Sequence, residues 1–474
     1  MPRRAPALDL VLGKRARDVT LTDWLYDELR GAILDGRLAR GARLPATRDL
    51  AARWDVSRGV VVSVFDRLGD EGYVTGRTGS GTTVRARVPE DYLPGSPHAV
   101  PAAPRPAPAR RFARPFSPID PGLTDFPMKT WTRISARVHT RITPQLLARG
   151  DPAGSPTLRE AIAGYLGASR GVSCTPDQVV IVSGAQQALD LIARIVVKPG
   201  DPVWIEDPGY SGAVDAFRNA QAKIIPVRVD DDGLDPAHGR HRCARPVAVY
   251  LTPAHQFCLG VSLSHERRAE LVRWASSTGC LLIEDDYDSE FRYRGPPLPA
   301  MRSLRGAGSV FLLGTFSKVL FPSLRLGYMV VPDVWLDRVL ALRYQHDLYP
   351  PGISQAVLTE FLVGGHFARH LRRMRECYAS RRATLHDEIE RRLAGALRLP
   401  AIEAGLSTPA YLSRGISARR VVERGQVHDL DLWSLDRFAI QRRDLRGLLL
   451  GFAAFTERQI REAVVALARV IDEA

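Results

Sequence analysis

At 474 residues the chain is too long for one ordinary hydrophobic core, so two or three folded units are expected. With 45% apolar and 25% charged residues, and no apolar run near the ~18 residues a membrane span needs, the composition excludes a membrane protein. The formal net charge of +14 permits nucleic-acid binding without establishing it.

Arg3 and Arg4 begin the chain, but Asp9 interrupts the short apolar run behind them, which argues against a signal peptide. Cys174, Cys243, Cys258, Cys280 and Cys377 are scattered singly, so a reduced cytoplasmic protein without a disulfide frame or a zinc site is expected. Of the 66 basic residues only five are lysines: Lys14, Lys129, Lys198, Lys223 and Lys318. Arginine keeps its proton, so imine chemistry has only those five candidates.

In the first 88 residues, Leu21, Leu25, Leu29 and Ile33 recur at helical spacing before Gly36 and Gly41. A second short helix is read over Arg48–Trp54, with Leu50 and Ala51 inward. Ser57 is a good N-cap for a third helix to about Asp70, with Val60, Val64 and Leu68 as its buried stripe. Two short strand-like runs, Tyr73-Val74 and Thr82–Val84, flank the glycine-tipped stretch Arg77–Gly81. Two helices, a turn, a third helix and a hairpin give a small α+β winged helix-turn-helix, read over 18–88. Such a unit lays its third helix in the major groove and extends its wing to phosphate or minor groove. Arg48, Ser57, Arg58, Arg77 and Gly81 are the candidate DNA-contacting residues. With 16 Lys and Arg against 11 Asp and Glu, this region is suited to phosphate attraction. Residues 24–84 resemble the GntR-type DNA-binding domain: Leu29-Arg30, the run from Gly36 to Pro45, Val56-Ser57-Arg58, Glu71-Gly72-Tyr73 and Gly79–Thr82 carry the likeness. Two departures are Asp55, where a glycine is usual, and Gly59–Val62, where helix three usually starts with polar residues.

Nine prolines fall in residues 89–118, which reads as an extended linker. From 119 to 474, short apolar runs (Val179–Val182, Val203–Ile205, Val247–Leu251, Leu281–Ile283, Val310–Leu313, Leu326–Val331) alternate with helical stretches. An α/β body with a mostly parallel sheet and a smaller C-terminal α/β domain is predicted. Ligands of such sheets sit at the carboxyl ends of strands. There stand Ser183-Gly184-Ala185-Gln186, opening a helix; Glu284-Asp285-Asp286-Tyr287, just past an apolar strand; and Thr315-Phe316-Ser317-Lys318, with Arg325 seven residues on. Hydroxyls, a lysine and an arginine near one helix N-terminus suit a phosphorylated aldehyde held as a Schiff base. Of the other four, Lys14 lies in the N-terminal arm, Lys198 in a turn, Lys223 at the start of a strand-like run and Lys129 before an arginine-rich helical stretch.

Residues 120–474 resemble the fold type I aminotransferases. The likeness runs through Asp151–Gly154, Gly184–Leu189, Glu206–Tyr210, Thr252–Phe257, Glu284–Phe291 and Gly314–Lys318. With the head, the chain is similar to the MocR subfamily of GntR regulators. That resemblance implies pyridoxal 5'-phosphate as cofactor and Lys318 as its Schiff-base and catalytic lysine. Asp285 is implied at the pyridine nitrogen, Tyr287 at the ring's phenolic oxygen with His255 nearby, and Tyr210 against the ring face. The Ala185 and Gln186 amides, Thr315, Ser317 and Arg325 are implied around the phosphate. A homodimer reading paired half-sites of a double-stranded DNA operator is implied as well.

The arginine that grips a substrate carboxylate in these aminotransferases falls at Leu449 here, with Arg442, Arg443 and Arg446 the neighbouring cations. Phe257-Cys258-Leu259-Gly260 replaces the usual Phe-Pro-Thr-Gly turn, and Arg149 stands where a tyrosine is frequent. A regulator that senses pyridoxal phosphate, or an amine or amino acid effector, through Lys318 is therefore expected. The alternative is a working aminotransferase with a DNA-localising head.

Overall fold

The computed structural model describes residues 10, 12–16, 18–77, 81–92, 113–295 and 298–473, and the chain divides into two units, 1–109 and 110–474. Gly79 and Ser80 of the wing, and the central part of the linker, lie outside the described residues.

In the first unit, α1 (Leu21–Leu34), α2 (Thr47–Arg53) and α3 (Arg58–Asp70) precede the antiparallel pair β1 (Val74–Arg77) and β2 (Gly81–Val84). Thr20 caps α1 by accepting from the Asp23 amide at 3.1 Å, and Ser57 caps α3 by accepting from the Val60 amide at 3.3 Å. The α3 stripe is Val61, Val64, Phe65 and Leu68, all buried; Val60, expected inward, is only partly covered. Val61 holds that place because it lies three and seven residues before Val64 and Leu68, on one face of a 3.6-residue helix. Asp55 takes a left-handed φ of 50° in the turn between α2 and α3. A short polar side chain tolerates that conformation, which accounts for the absence of the usual glycine.

The second unit is built on an eight-stranded sheet in the order β3-β10-β9-β8-β7-β4-β5-β6. These strands are β3 (Val179–Val182), β4 (Pro202–Asp207), β5 (Lys223–Asp230), β6 (Gly233–Leu234), β7 (Ala248–Leu251), β8 (Leu281–Asp286), β9 (Val310–Thr315) and β10 (Gly327–Val330). Pairings from β5 through β9 are parallel, whereas β10 runs antiparallel to both β3 and β9. Strand residues alternate between two cores: Val203 and Ile205 enter one and Trp204 the other, as do Leu281 and Ile283 against Leu282. Period-two burial on both sides is what a helix-covered sheet requires. The carboxylates read as lying just past an apolar strand are inside β8, which runs to Asp286 because Asp285 and Asp286 still pair with Leu313 and Gly314 of β9.

A smaller antiparallel sheet, β11 (Leu397–Arg398), β12 (Ser407–Leu412), β14 (Gly447–Gly451) and β13 (Trp433–Ser434) in that order, shares a hydrophobic core with the helices His366–Leu393 and Glu457–Asp472. The last linker residues belong to this body. Phe116 is only 1% exposed and bridges Gly451, so its aromatic ring places it in the core despite the prolines beside it.

Candidate functional site

Register assembles the anion end of the site. Gly327, at the start of β10, pairs with Val182 on one side and Thr315 on the other. Arg325, two residues earlier, is thereby brought beside the turn that opens the helix Ala185–Val196. A Cβ on Gly184 would lie 3.7 Å from the Arg325 Nη1, and Gly184 adopts φ 141°. No side chain caps that helix, so the Ala185 and Gln186 amides face outward at its positive end. Thr315 Oγ1 accepts from the Ser317 amide at 3.1 Å, which turns the chain at the end of β9. Arg325 is exposed, with no hydrogen bond or ion pair among the described residues. Backbone amides, two hydroxyls and an open guanidinium suit a phosphate.

At the other end, Asp285 is buried. Its Oδ2 accepts from the Tyr250 hydroxyl at 2.8 Å, while Oδ1 is buried without a partner. Burial pushes this carboxyl up to about 7, helped by the Asp286 and Asp288 charges and opposed by Tyr250 and Lys318. A buried acceptor with no donor is costly, and a protonated ring nitrogen fits the vacant oxygen.

Lys318 Nζ donates to the Ile119 carbonyl at 2.8 Å. Burial holds the amine below the usual lysine value, against Asp120, Asp288 and Asp285, which raise it. A less basic amine is more often the nucleophilic free base. His255 Nδ1 lies 3.0 Å from Asp288 Oδ2 and 3.1 Å from the Tyr287 hydroxyl, and burial drives the Tyr287 phenol well upward. Tyr210 points its hydroxyl at Gln186 Oε1, 3.3 Å away, and meets Phe257 edge-on at 5.7 Å.

The structure thus gathers Asp285, Tyr287, His255 and Lys318 at one end of the site, and Gly184, Thr315, Ser317 and Arg325 at the other. Tyr250, Asp288, Asp120 and the Ile119 carbonyl were not singled out from sequence. Tyr250 was hidden in an apolar run, and Ile119 acts through its backbone. Asp288 stood within a quoted motif and could have been found there.

Leu449 is 1% exposed in a cluster with Val229, Cys258, Leu259, Leu435, Phe438 and Leu445. Arg442 does not take the missing arginine's place. Its Nε and Nη2 hold Asp444 at 2.9 and 2.6 Å, and its Nη1 donates to the Val229 carbonyl at 3.2 Å.

In the head, Arg48, Ser57 and Arg58 are exposed at the first turns of α2 and α3. Gly81 opens β2 at φ 85°, and a Cβ there would lie 3.0 Å from Arg43 Nε. Arg43, which sequence reading passed over, therefore covers the base of the wing. Arg77 ends β1; its side chain lies outside the described residues.

Residues 124–406 match the family model "Aminotransferase class I and II", and residues 21–84 match "Bacterial regulatory proteins, gntR family". The chain is 37% identical to the probable rhizopine catabolism regulatory protein MocR of Rhizobium meliloti, over 97% of this chain and 95% of that protein. It belongs to the MocR-type GntR regulators. Another relative in this family is the pyridoxine biosynthesis regulator PdxR of Corynebacterium glutamicum, 34% identical over 77% of this chain and 78% of its own. The MocR-type body is similar to the kynurenine aminotransferase of Pyrococcus horikoshii, solved with PMP (TM-score 0.70, 28% identity, 76% of this chain and 90% of that one). It is also similar to the alpha-aminoadipate aminotransferase LysN of Thermus thermophilus, solved with N-(5'-phosphopyridoxyl)-L-leucine (TM-score 0.70, 27% identity, 76% and 92%). The fold is that of pyridoxal 5'-phosphate proteins, and the residues at its strand ends fit that cofactor. No helix among the described residues is long and apolar enough to cross a membrane.

Proposed function

We propose that this protein is a pyridoxal phosphate-dependent transcriptional regulator, cytoplasmic and homodimeric. Its winged head binds a double-stranded DNA operator, and its body senses pyridoxal phosphate, or an amine or amino acid, through Lys318. The observation that carries the reading is a contrast within one site. A buried acceptor at Asp285 and a half-buried amine at Lys318 are kept ready for a cofactor, while the carboxylate-gripping position is a leucine sealed in hydrocarbon.

When bound, the cofactor supplies an aldehyde for amines and an electron-withdrawing ring. Arg325, the Ala185 and Gln186 amides, Thr315 and Ser317 hold its phosphate. Asp285, whose charged form the Tyr250 hydroxyl favours against burial, binds the ring nitrogen. Tyr287, set by His255 and Asp288, orients the phenolic oxygen, and Tyr210 covers the ring. Arg48, Ser57 and Arg58 meet the major groove, with Arg77 and Gly81 at the wing. An effector regulates only through unequal affinity for two conformations of the regulator.

The test is the visible absorption of the protein with added pyridoxal phosphate, beside Lys318→Ala, followed by gel shifts with and without cofactor and amines. An imine band lost in the variant, with operator affinity that responds to ligand, is expected. Operator affinity unchanged under every ligand overturns the sensing role. Sustained turnover of amino and keto acids at roughly 1–10³ s⁻¹ replaces it with an aminotransferase.

A further inference from the structure

Lys318 is hydrogen-bonded to the part of the body that carries the chain toward the head. Its Nζ donates to Ile119 O at 2.8 Å. The segment from Arg114 to Asp120 is fastened along its length. Arg114 reaches Asp429 at 3.4 Å and Asp431 at 3.8 Å. The Pro115 carbonyl accepts from the Asp431 amide, and the Phe116 carbonyl from the Gly451 amide, each at 2.9 Å. Ser117 Oγ donates to Asp120 Oδ2 at 2.7 Å. The fit is close: a Cβ on Gly451 would fall 1.8 Å from Ser117 O. Asp120 is also the leading charge that favours the protonated lysine. On its N-terminal side this segment continues into the linker, the only covalent route from body to head.

We propose that the segment Arg114–Asp120 is a positioning element for Lys318 that registers whether its amine is free or condensed, and so couples the site to the linker. The inference rests on the reading that Lys318 condenses with the cofactor aldehyde. In that step the amine nitrogen forms a C=N bond, and the aldehyde oxygen leaves as water with two hydrogens. The nitrogen keeps at most one hydrogen, fixed in the plane of the double bond, in place of the three rotatable donors of an ammonium. Ile119 O then loses its donor, and Asp120 loses the ammonium it faces. The same bond that holds the cofactor therefore releases the segment, through chemistry at a single nitrogen.

Hydrogen exchange of the full-length protein tests this, read at the Asp431 and Gly451 amides, which are bonded to the segment. Four samples are compared: cofactor-free wild type, wild type with pyridoxal 5'-phosphate, cofactor-free Lys318→Met, which keeps the length but has no donor, and cofactor-free Lys318→Arg, which restores one. Exchange is expected to be at least about threefold faster in the loaded wild type and in Lys318→Met than in cofactor-free wild type, with Lys318→Arg slow. Operator affinity of Lys318→Met is expected to follow the loaded protein. An imine band with unchanged or slower exchange overturns the coupling, as does Lys318→Met exchanging as slowly as cofactor-free wild type. Absence of the band overturns the cofactor reading instead, and the Lys318→Met sample still decides whether the tether exists.

Discussion

Two regions of the body treat polar chemistry in opposite ways. At the ends of β8 and β9, Asp285 is buried and Lys318 half-buried, and the carboxylate has one oxygen with no donor. In the middle of β14, at the position where the aminotransferase resemblance implies a carboxylate-binding arginine, Leu449 packs against Val229, Leu259 and Phe438. A buried polar atom without a partner is costly, and such sites persist where a ligand offsets the cost. A buried leucine among leucines needs no ligand. On the proposed reading the Asp285 end is kept for a bound group, while Leu449 is ordinary core.

The contrast can be broken or sharpened by substitution. The largest effect is expected from Lys318→Ala, which should abolish the imine band, as absorption spectra would show. Leu449→Arg should not create an aminotransferase: a charge placed among these apolar side chains should cost about 3 kcal/mol or more, measured by urea unfolding. If this variant is stable and transaminates, β14 is less closed than its packing indicates. Asp285→Asn removes the anion opposite the ring nitrogen and should weaken cofactor binding by about tenfold or more in fluorescence titrations, a loss of at least about 1.4 kcal/mol.

Tyr250→Phe should act more gently. The hydroxyl donates to the charged carboxylate and lowers the Asp285 pKa, so its loss lets that pKa rise further. Only ionised Asp285 pairs with a protonated ring. On acidification, cofactor affinity should therefore begin to fall at a higher pH than in wild type, by about 1 pH unit for a hydrogen bond to a charged group. An unshifted acid limb would remove Tyr250 from the site. Arg58→Ala, in the head, should leave every spectrum unchanged, weaken operator binding and, if the contact is to phosphate, reduce the salt slope by about 1.

Much of this was legible in the sequence because it rests on local signals. Helical spacing and the Ser57 cap located α3, and the scarcity of lysine left Lys318 conspicuous behind a strand. The linker's end misled, since proline content says nothing about the anchoring side chain of Phe116. Val60 misled because a valine triplet leaves the helix phase open by one residue.

Periodicity, capping and side-chain chemistry act over a few residues, so the sequence alone determined that a small helical head precedes an α/β body, the parallel strands of that body and the residue types at their ends. Tertiary structure decided that Tyr250 serves Asp285, that Asp288 sets His255, that Leu449 is sealed, and that Ile119 holds Lys318. Each joins elements far apart in the chain, through strand register, burial or a backbone carbonyl that every residue possesses. No local pattern marks which of those carbonyls will face the lysine.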